Sequence, residues 1–254
     1  MSIADKLTTI AENEQKVYDK GVEDGKKSEY DTFWDTFQNY GTASVDYKYA
    51  FGKNWTSNLF KPKYDFRISV SGLEYAFYNF GAGYNGADHG IDLIEVSKKV
   101  KILYENDSFR STFENSRVLT VPTIKITKFR GTVVLQKTFY SASYLHTIEK
   151  IILSEHTDGG TTSFTNTFHY ATRLENIRFE GAINSDINFS SCPLSVESCK
   201  NIIEHLYNYA GTTKELKYKL TLKNTCWTAL NEAEAPPVGD TWQDYVSSLG
   251  WNYA

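Results

Sequence analysis

The sequence predicts an α+β chain: an N-terminal helical arm over residues 1–40, a β-rich solenoid of short irregular repeats over 41–190, and a small α/β cap over 191–254. Three observations carry this expectation. A thin apolar stripe at helical spacing opens the chain, a template anchored on Phe recurs in the middle, and a helical face followed by an alternating strand closes it. Composition agrees with a strand-rich body. Aromatic residues make up 15%, with 18 Tyr and only 5 Pro, and aromatic side chains suit pleated, half-buried surfaces. At 254 residues the chain has enough apolar surface to build a core without disulfides or metals.

The arm is read as follows. Ser2 with Asp5 three residues on resembles a capping box. Ile3, Leu7, Ile10 and Val17 follow a 3-4 spacing, with Glu14 interrupting the seam. So narrow a stripe anchors a lone helix poorly. Pairing with copies of itself, a trimer in the first instance, or docking on another protein is one reading; packing on its own domain is the other. Tyr30, Phe33, Trp34 and Phe37 then form an aromatic face, and Gly41 marks a helix end. Alternation in "SVDYKYAFG" and "YDFRISVSG" predicts two strands.

In the middle, "TFENSRVLTVPTIKI", "TFYSASYLHTIEKIIL" and "TFHYATRLENIRFEG" share one template. Phe113, Phe139 and Phe168 open the units. Ser116, Ala142 and Ala171 follow at three residues, and Leu119, Leu145 and Leu174 at six. Val121, Ile148 and Ile177 come next, leading a short apolar strand. The Phe-to-Phe intervals are 26 and 29 residues, and 36 from a degenerate first unit at Phe77. Such periods with one strand each predict a leucine-rich-repeat-like solenoid, in which stacked units bury ladders no single unit could bury. The alternative is an antiparallel sandwich whose strands share a pattern by chance.

In the tail, Ser195 is a helix N-cap, and Val196, Cys199, Ile202, Ile203 and Leu206 share one helical face that Gly211 closes. "KYKLTLK" alternates as a half-buried strand, "TWQDYVSSLG" is a short helix capped by Thr241 or Asp240, and "WNYA" adds a last strand. This tail would cap the exposed end of the repeats.

No catalytic, cofactor or metal residues emerge. His89, His146, His156, His169 and His205 form no ligand motif, and Cys192, Cys199 and Cys226 lack metal or disulfide spacing. "GAGYNGADHG" lacks the P-loop Lys and the Rossmann context, so a flexible or partner-ordered loop is expected. "SEHTDGG" reads as a solvated loop. Net charge is −4 without a basic run, which disfavours nucleic acid. No apolar run reaches membrane-spanning length. The first residues lack the basic and apolar regions of a secretory signal, so synthesis in a cytoplasm is expected.

The repeats resemble leucine-rich repeats of the BspA type, which place Phe, a small residue, Leu and Ile in this order before a strand. The whole chain resembles virion proteins encoded by phages and prophages of gut Firmicutes. The residues that carry this are "SIADKLTTIAENEQKVYDKG", "SEYDTFWDTFQNYG", "YKYAFGKNW" and "CPLSVESCKNIIEHLYNYAG" followed by "YKLTLKN". The resemblance implies a non-enzymatic tail, baseplate or head-fibre component of the virion. Its partners would be other virion proteins and a host-surface glycan or protein. A carbohydrate- or protein-binding adhesin module of BspA type is the alternative. An enzyme acting on cell-wall glycan is a third reading, for which no residues are singled out.

Overall fold

The structure, a computed structural model, describes residues 66–67, 77–81, 90–99, 102–106, 109–126, 135–153, 163–211 and 218–254. The expected arm with Ile3, Leu7, Ile10 and Val17, the expected strand at 45–51 and the loop 154–162 lie outside these residues. The described strands are β1 (Phe66–Arg67), β2 (Ile91–Asp92), β3 (Ile102–Asn106), β4 (Val118–Val121), β5 (Ile124–Ile126), β6 (Thr147–Leu153), β7 (Asn176–Glu180), β8 (Ile187–Phe189), β9 (Lys219–Leu222) and β10 (Asn252–Tyr253). The helices are α1 (Leu93–Ser97), α2 (Val196–Glu204), α3 (Asn224–Ala233) and α4 (Trp242–Ser248).

Every pairing between these strands is parallel. A seven-stranded sheet runs β1-β3-β5-β6-β4-β2, with β7 on the other side of β6, and a three-stranded sheet runs β10-β9-β8. This overturns the predicted α+β class and its β-rich solenoid. The chain is α/β, with parallel sheets that curl as a half-barrel and few helices. Alternation and period report which side chains point inward. They do not report which strand pairs with which, and that pairing decides the class.

The order of the large sheet follows from local breaks. Strands β4 and β5 both pair with the same side of β6, and the pairs Val121↔Ile148 and Ile124↔Ile151 keep one offset across the gap. Pro122 sits in that gap and has no N–H for the ladder. The Glu149 carboxylate accepts from the Thr123 N–H and hydroxyl there, each at 3.0 Å. Between β6 and β7 the register shifts, so that Glu149 and Lys150 together oppose Arg178, as in a β-bulge.

Each return to the sheet passes through a turn built on one Phe. Phe77, Phe113, Phe139 and Phe168 are buried, and their rings stack at 5.2, 5.4 and 5.7 Å. Phe189 of β8 continues the stack at 4.4 Å from Phe168, which ties the second sheet to the first. Each stacked pair contributes about 0.5–1.5 kcal/mol beyond its area burial. The backbone stacks in the same rhythm: Phe77 N–H donates to Thr112, Phe113 to Thr138, and Phe139 to Thr167. Thr112, Thr138 and Thr167, each directly before its Phe, are buried too. The Thr167 hydroxyl donates to the Leu135 carbonyl at 2.6 Å, which answers its burial.

The template reads one position wrongly. Leu145 and Leu174 are buried, but Leu119 is half-buried and Val118 is fully buried in its stead. The paired residues Thr120↔Thr147 make Val118, not Leu119, the counterpart of Leu145. The first unit reaches its strand in one residue fewer, and a one-residue slip turns a side chain to the other face. The signal was present: Val121 follows Leu119 by two residues, whereas Ile148 and Ile177 follow their Leu by three.

At the far edge, α2 lies on β7. Its N-cap Ser195 accepts from the Ser198 N–H. The Ser198 hydroxyl accepts from the Ile177 N–H at 3.0 Å and donates to the Glu175 carbonyl at 3.0 Å. Asn201 Oδ1 accepts from the Phe179 N–H at 2.6 Å. Open edge groups of β7 are thereby taken by helix side chains rather than by another chain. Helix α2 ends at Glu204, with His205 as cap, and Leu206 already bridges Ile183, so Gly211 does not close it. The short α1 and α3 were not anticipated, because α3 has no side-chain cap and α1 spans little more than a turn.

Two stability predictions follow from this packing. Phe139→Ala, in the middle of the stack, should cost about 3–5 kcal/mol in urea unfolding. Ser116→Ala should stabilise by about 1 kcal/mol, because the buried Ser116 hydroxyl has no partner among the described residues and Ala fills the equivalent sites at 142 and 171. A loss of stability in Ser116→Ala would show that the hydroxyl has found one.

Candidate binding surface

The Phe turns place particular residues at their rim. In each turn the residues two before and two after the Phe have positive φ: Ser111 and Asn115 around Phe113, Lys137 and Ser141 around Phe139, Asn166 and Tyr170 around Phe168. Asn79 holds the same place after Phe77. Asn tolerates this left-handed conformation better than most residues, because its short amide bonds the local backbone. Tyr170, with φ 61°, is the bulky exception.

The residues directly after Phe139 and Phe168 are half-buried at the rim, whereas Glu114, after Phe113, is buried. Tyr140 and His169 occupy two successive such places, and their rings stack at 5.5 Å. Tyr170 completes the cluster, with its ring 3.9 Å from His169 and 5.9 Å from Tyr140. Lys137 lies 5.3 Å from the Tyr140 ring and 3.9 Å from the Glu114 carboxylate. Tyr140 and His169 are half-buried, whereas Tyr170 is 50% exposed, more than Tyr207 or Tyr253. The cluster thus offers an aromatic face with polar tips and a cation at its margin. Such a face can stack on a flat apolar surface and hydrogen-bond at its rim.

The other residues singled out from sequence lie elsewhere. Phe113, Phe139, Phe168, Leu145 and Leu174 meet in the core, where Leu119 is only half-buried. His146 is exposed at the start of β6, with Nδ1 3.1 Å from the Thr147 hydroxyl. His205 Nδ1 lies 2.7 Å from the Asn201 carbonyl, to which it donates as a helix end closes. His89 and His156 lie outside the described residues, and of the described histidines His169 alone joins the aromatic face. Its place one residue after a template Phe, matching Tyr140, was the readable signal.

Cys192, ahead of α2, Cys199 in α2 and Cys226 in α3 are free and buried. The Cys226 sulfur lies 3.5 Å from the Cys192 carbonyl and 3.6 Å from that of Leu194. Burial pushes the Cys192 thiol up to about 12, and a hydrogen bond with Cys226 together with burial raises that of Cys199. Cys192 and Cys199, held neutral in this way, are inert packing groups. Among the described residues no group of three or more His, Cys, Asp or Glu is arranged to hold a metal ion, and no helix is long and apolar enough to cross a membrane.

No protein-family model matches this chain, and no curated protein or solved structure is significantly similar to it.

The buried acids of this region set an alkaline limit. Burial raises Tyr209 to about 12, as it does Cys192. Both groups release their protons more readily when unfolded, where they titrate near 10.0 and 9.0. Their contribution to stability is therefore complete below about pH 9 and is lost as pH rises toward 12. Urea unfolding at pH 7, 9 and 10.5 should show a flat first interval and a fall over the second.

Proposed function

We propose that this protein is a non-catalytic binding module that makes contact through the rim of its Phe turns, with Tyr140, His169 and Tyr170 as the contact face. We further propose that it serves as a virion component meeting the host surface. The single observation that supports the binding reading is Tyr170. It is a half-exposed aromatic residue in a left-handed backbone position that the neighbouring turns fill with Asn or Ser. A bulky residue there costs of order 1–3 kcal/mol of backbone strain, and strain concentrates at functional places. Folding gains little from a ring so exposed, whereas a partner gains a rigid aromatic contact at small entropic cost.

The virion reading is supported by the resemblance of "SIADKLTTIAENEQKVYDKG" and the later segments, and by the thin stripe of Ile3, Leu7, Ile10 and Val17 as a docking or oligomer seam. Several copies in one particle would let individually weak rim contacts act together.

Two experiments test the reading. Tyr170→Asn should raise stability by about 1 kcal/mol while lowering retention on purified bacterial cell walls about tenfold or more. Unchanged retention would sink the contact-face assignment. Removing residues 1–25 should convert a trimer to a monomer by solution mass and leave cell-wall retention per site intact. A monomer in both forms would count against the seam.

A further inference from the structure

A second column of residues crosses the same three turns. Arg117, Tyr144 and Arg173 each stand three residues before the paired positions Thr120, Thr147 and Asn176, so they occupy equivalent places in successive units. The Arg117 guanidinium lies 5.0 Å from the centroid of the Tyr144 ring, and that of Arg173 lies 5.2 Å from the same centroid. Two cations thus flank one aromatic ring. Arg173 is exposed, whereas Arg117 and Tyr144 are half-buried.

Like charges do not gather on one ring without some cost in repulsion. Lys98, Lys137, Lys150 and Lys200 each sit within ion-pair distance of a glutamate. No carboxylate among the described residues lies within that distance of Arg173. The Arg173 guanidinium over the ring has no carboxylate of the described residues on its N–H donors, and its planar fork matches a carboxylate or a phosphate in bidentate fashion. Seating on Tyr144 also restricts the Arg side chains before any ligand arrives, which lowers the entropic cost of binding.

We propose that Arg173, seated on Tyr144 with Arg117 beside the same ring, forms an anion subsite that takes the carboxylate or phosphate groups of an acidic polymer built from sugars or polyols. This inference rests on the reading of the turn rim as a binding surface and adds the charge class of its ligand. Aromatic rings with arginines also suit single-stranded nucleic acid. The chain's net charge of −4, with no basic run, favours the acidic saccharide instead.

The test uses the full chain and four immobilised probes: dextran as the neutral polymer, polygalacturonate for carboxylates, a poly(glycerol phosphate) for phosphates, and a single-stranded oligonucleotide. The expected result is retention on one or both acidic saccharide or polyol polymers, weakened by added salt and reduced about tenfold in Arg173→Gln. The preferred polymer identifies the anion. Arg173→Lys should recover only part of the loss, because it restores charge without the planar fork. Equal retention on dextran and the acidic polymers, unchanged in Arg173→Gln but lowered in Tyr170→Asn, would overturn the anion subsite and leave the binding module standing. Failure on every polymer and on cell walls would remove both. Preference for the oligonucleotide would overturn the proposed ligand class. Arg173 is exposed, so its variants should unfold at the wild-type urea midpoint, which separates lost contact from lost fold.

Discussion

The stack of Phe rings is the constraint on which the rest depends. Phe77, Phe113, Phe139, Phe168 and Phe189 follow one another at 4.4–5.7 Å, a spacing close to that of hydrogen-bonded strands. The match is physical. Ring stacking and strand pairing have nearly the same repeat, so each turn can lie on the next while its strand pairs with the next. That coincidence lets a chain with few helices build parallel sheets, which ordinarily need helical crossovers to return the strand. Here the return runs through a tight turn with left-handed residues on both sides of the Phe.

A parallel sheet made in this way has edges, and the described far edge is closed by side chains. Ser198 and Asn201 of α2 take the Ile177 and Phe179 N–H groups of β7. Phe189 carries the ring stack into the C-terminal sheet. Three buried indoles then hold that unit together. Trp227 donates to Ala254, Trp242 to Glu234 and Trp251 to Tyr207, each through its ring N–H to a backbone carbonyl. Bulk and a satisfied polar tip are supplied by the same residue. The Thr241 and Asp244 capping box fixes where α4 begins.

The same stacking that builds the core sorts the surface. Residues in the same register of successive turns stand beside one another, so chemistry scattered along the chain becomes columns in space. One column gathers Tyr140 and His169, with Tyr170 beside them; another gathers Arg117, Tyr144 and Arg173. The outer strand face is arranged differently. There Lys150 meets Glu180 at 3.0 Å, and Glu149 is occupied by Thr123. Lys150 and Glu180 answer one another on that face, whereas the rim presents aromatic rings and an arginine to solvent.

The sequence by itself determined what recurs locally. The Phe at each turn, the small residue three places on and the inward strand positions are legible as spacing. So is the Ser195 cap, and the cap of α4 as Thr241 or Asp240, because each depends on residues within one turn; the structure chose Thr241 and showed its capping box with Asp244. The tertiary structure alone decided the rest. It paired every described strand in parallel, put Val118 where Leu119 was expected, set α2 on β7, and assembled both surface columns from residues 27 to 30 positions apart. The physical reason is that spacing encodes the direction of a side chain, whereas pairing depends on how many residues each turn spends before its strand begins. One residue fewer between Phe113 and β4 changes which side chain enters the core. The rim columns become visible only when the turns are laid upon one another.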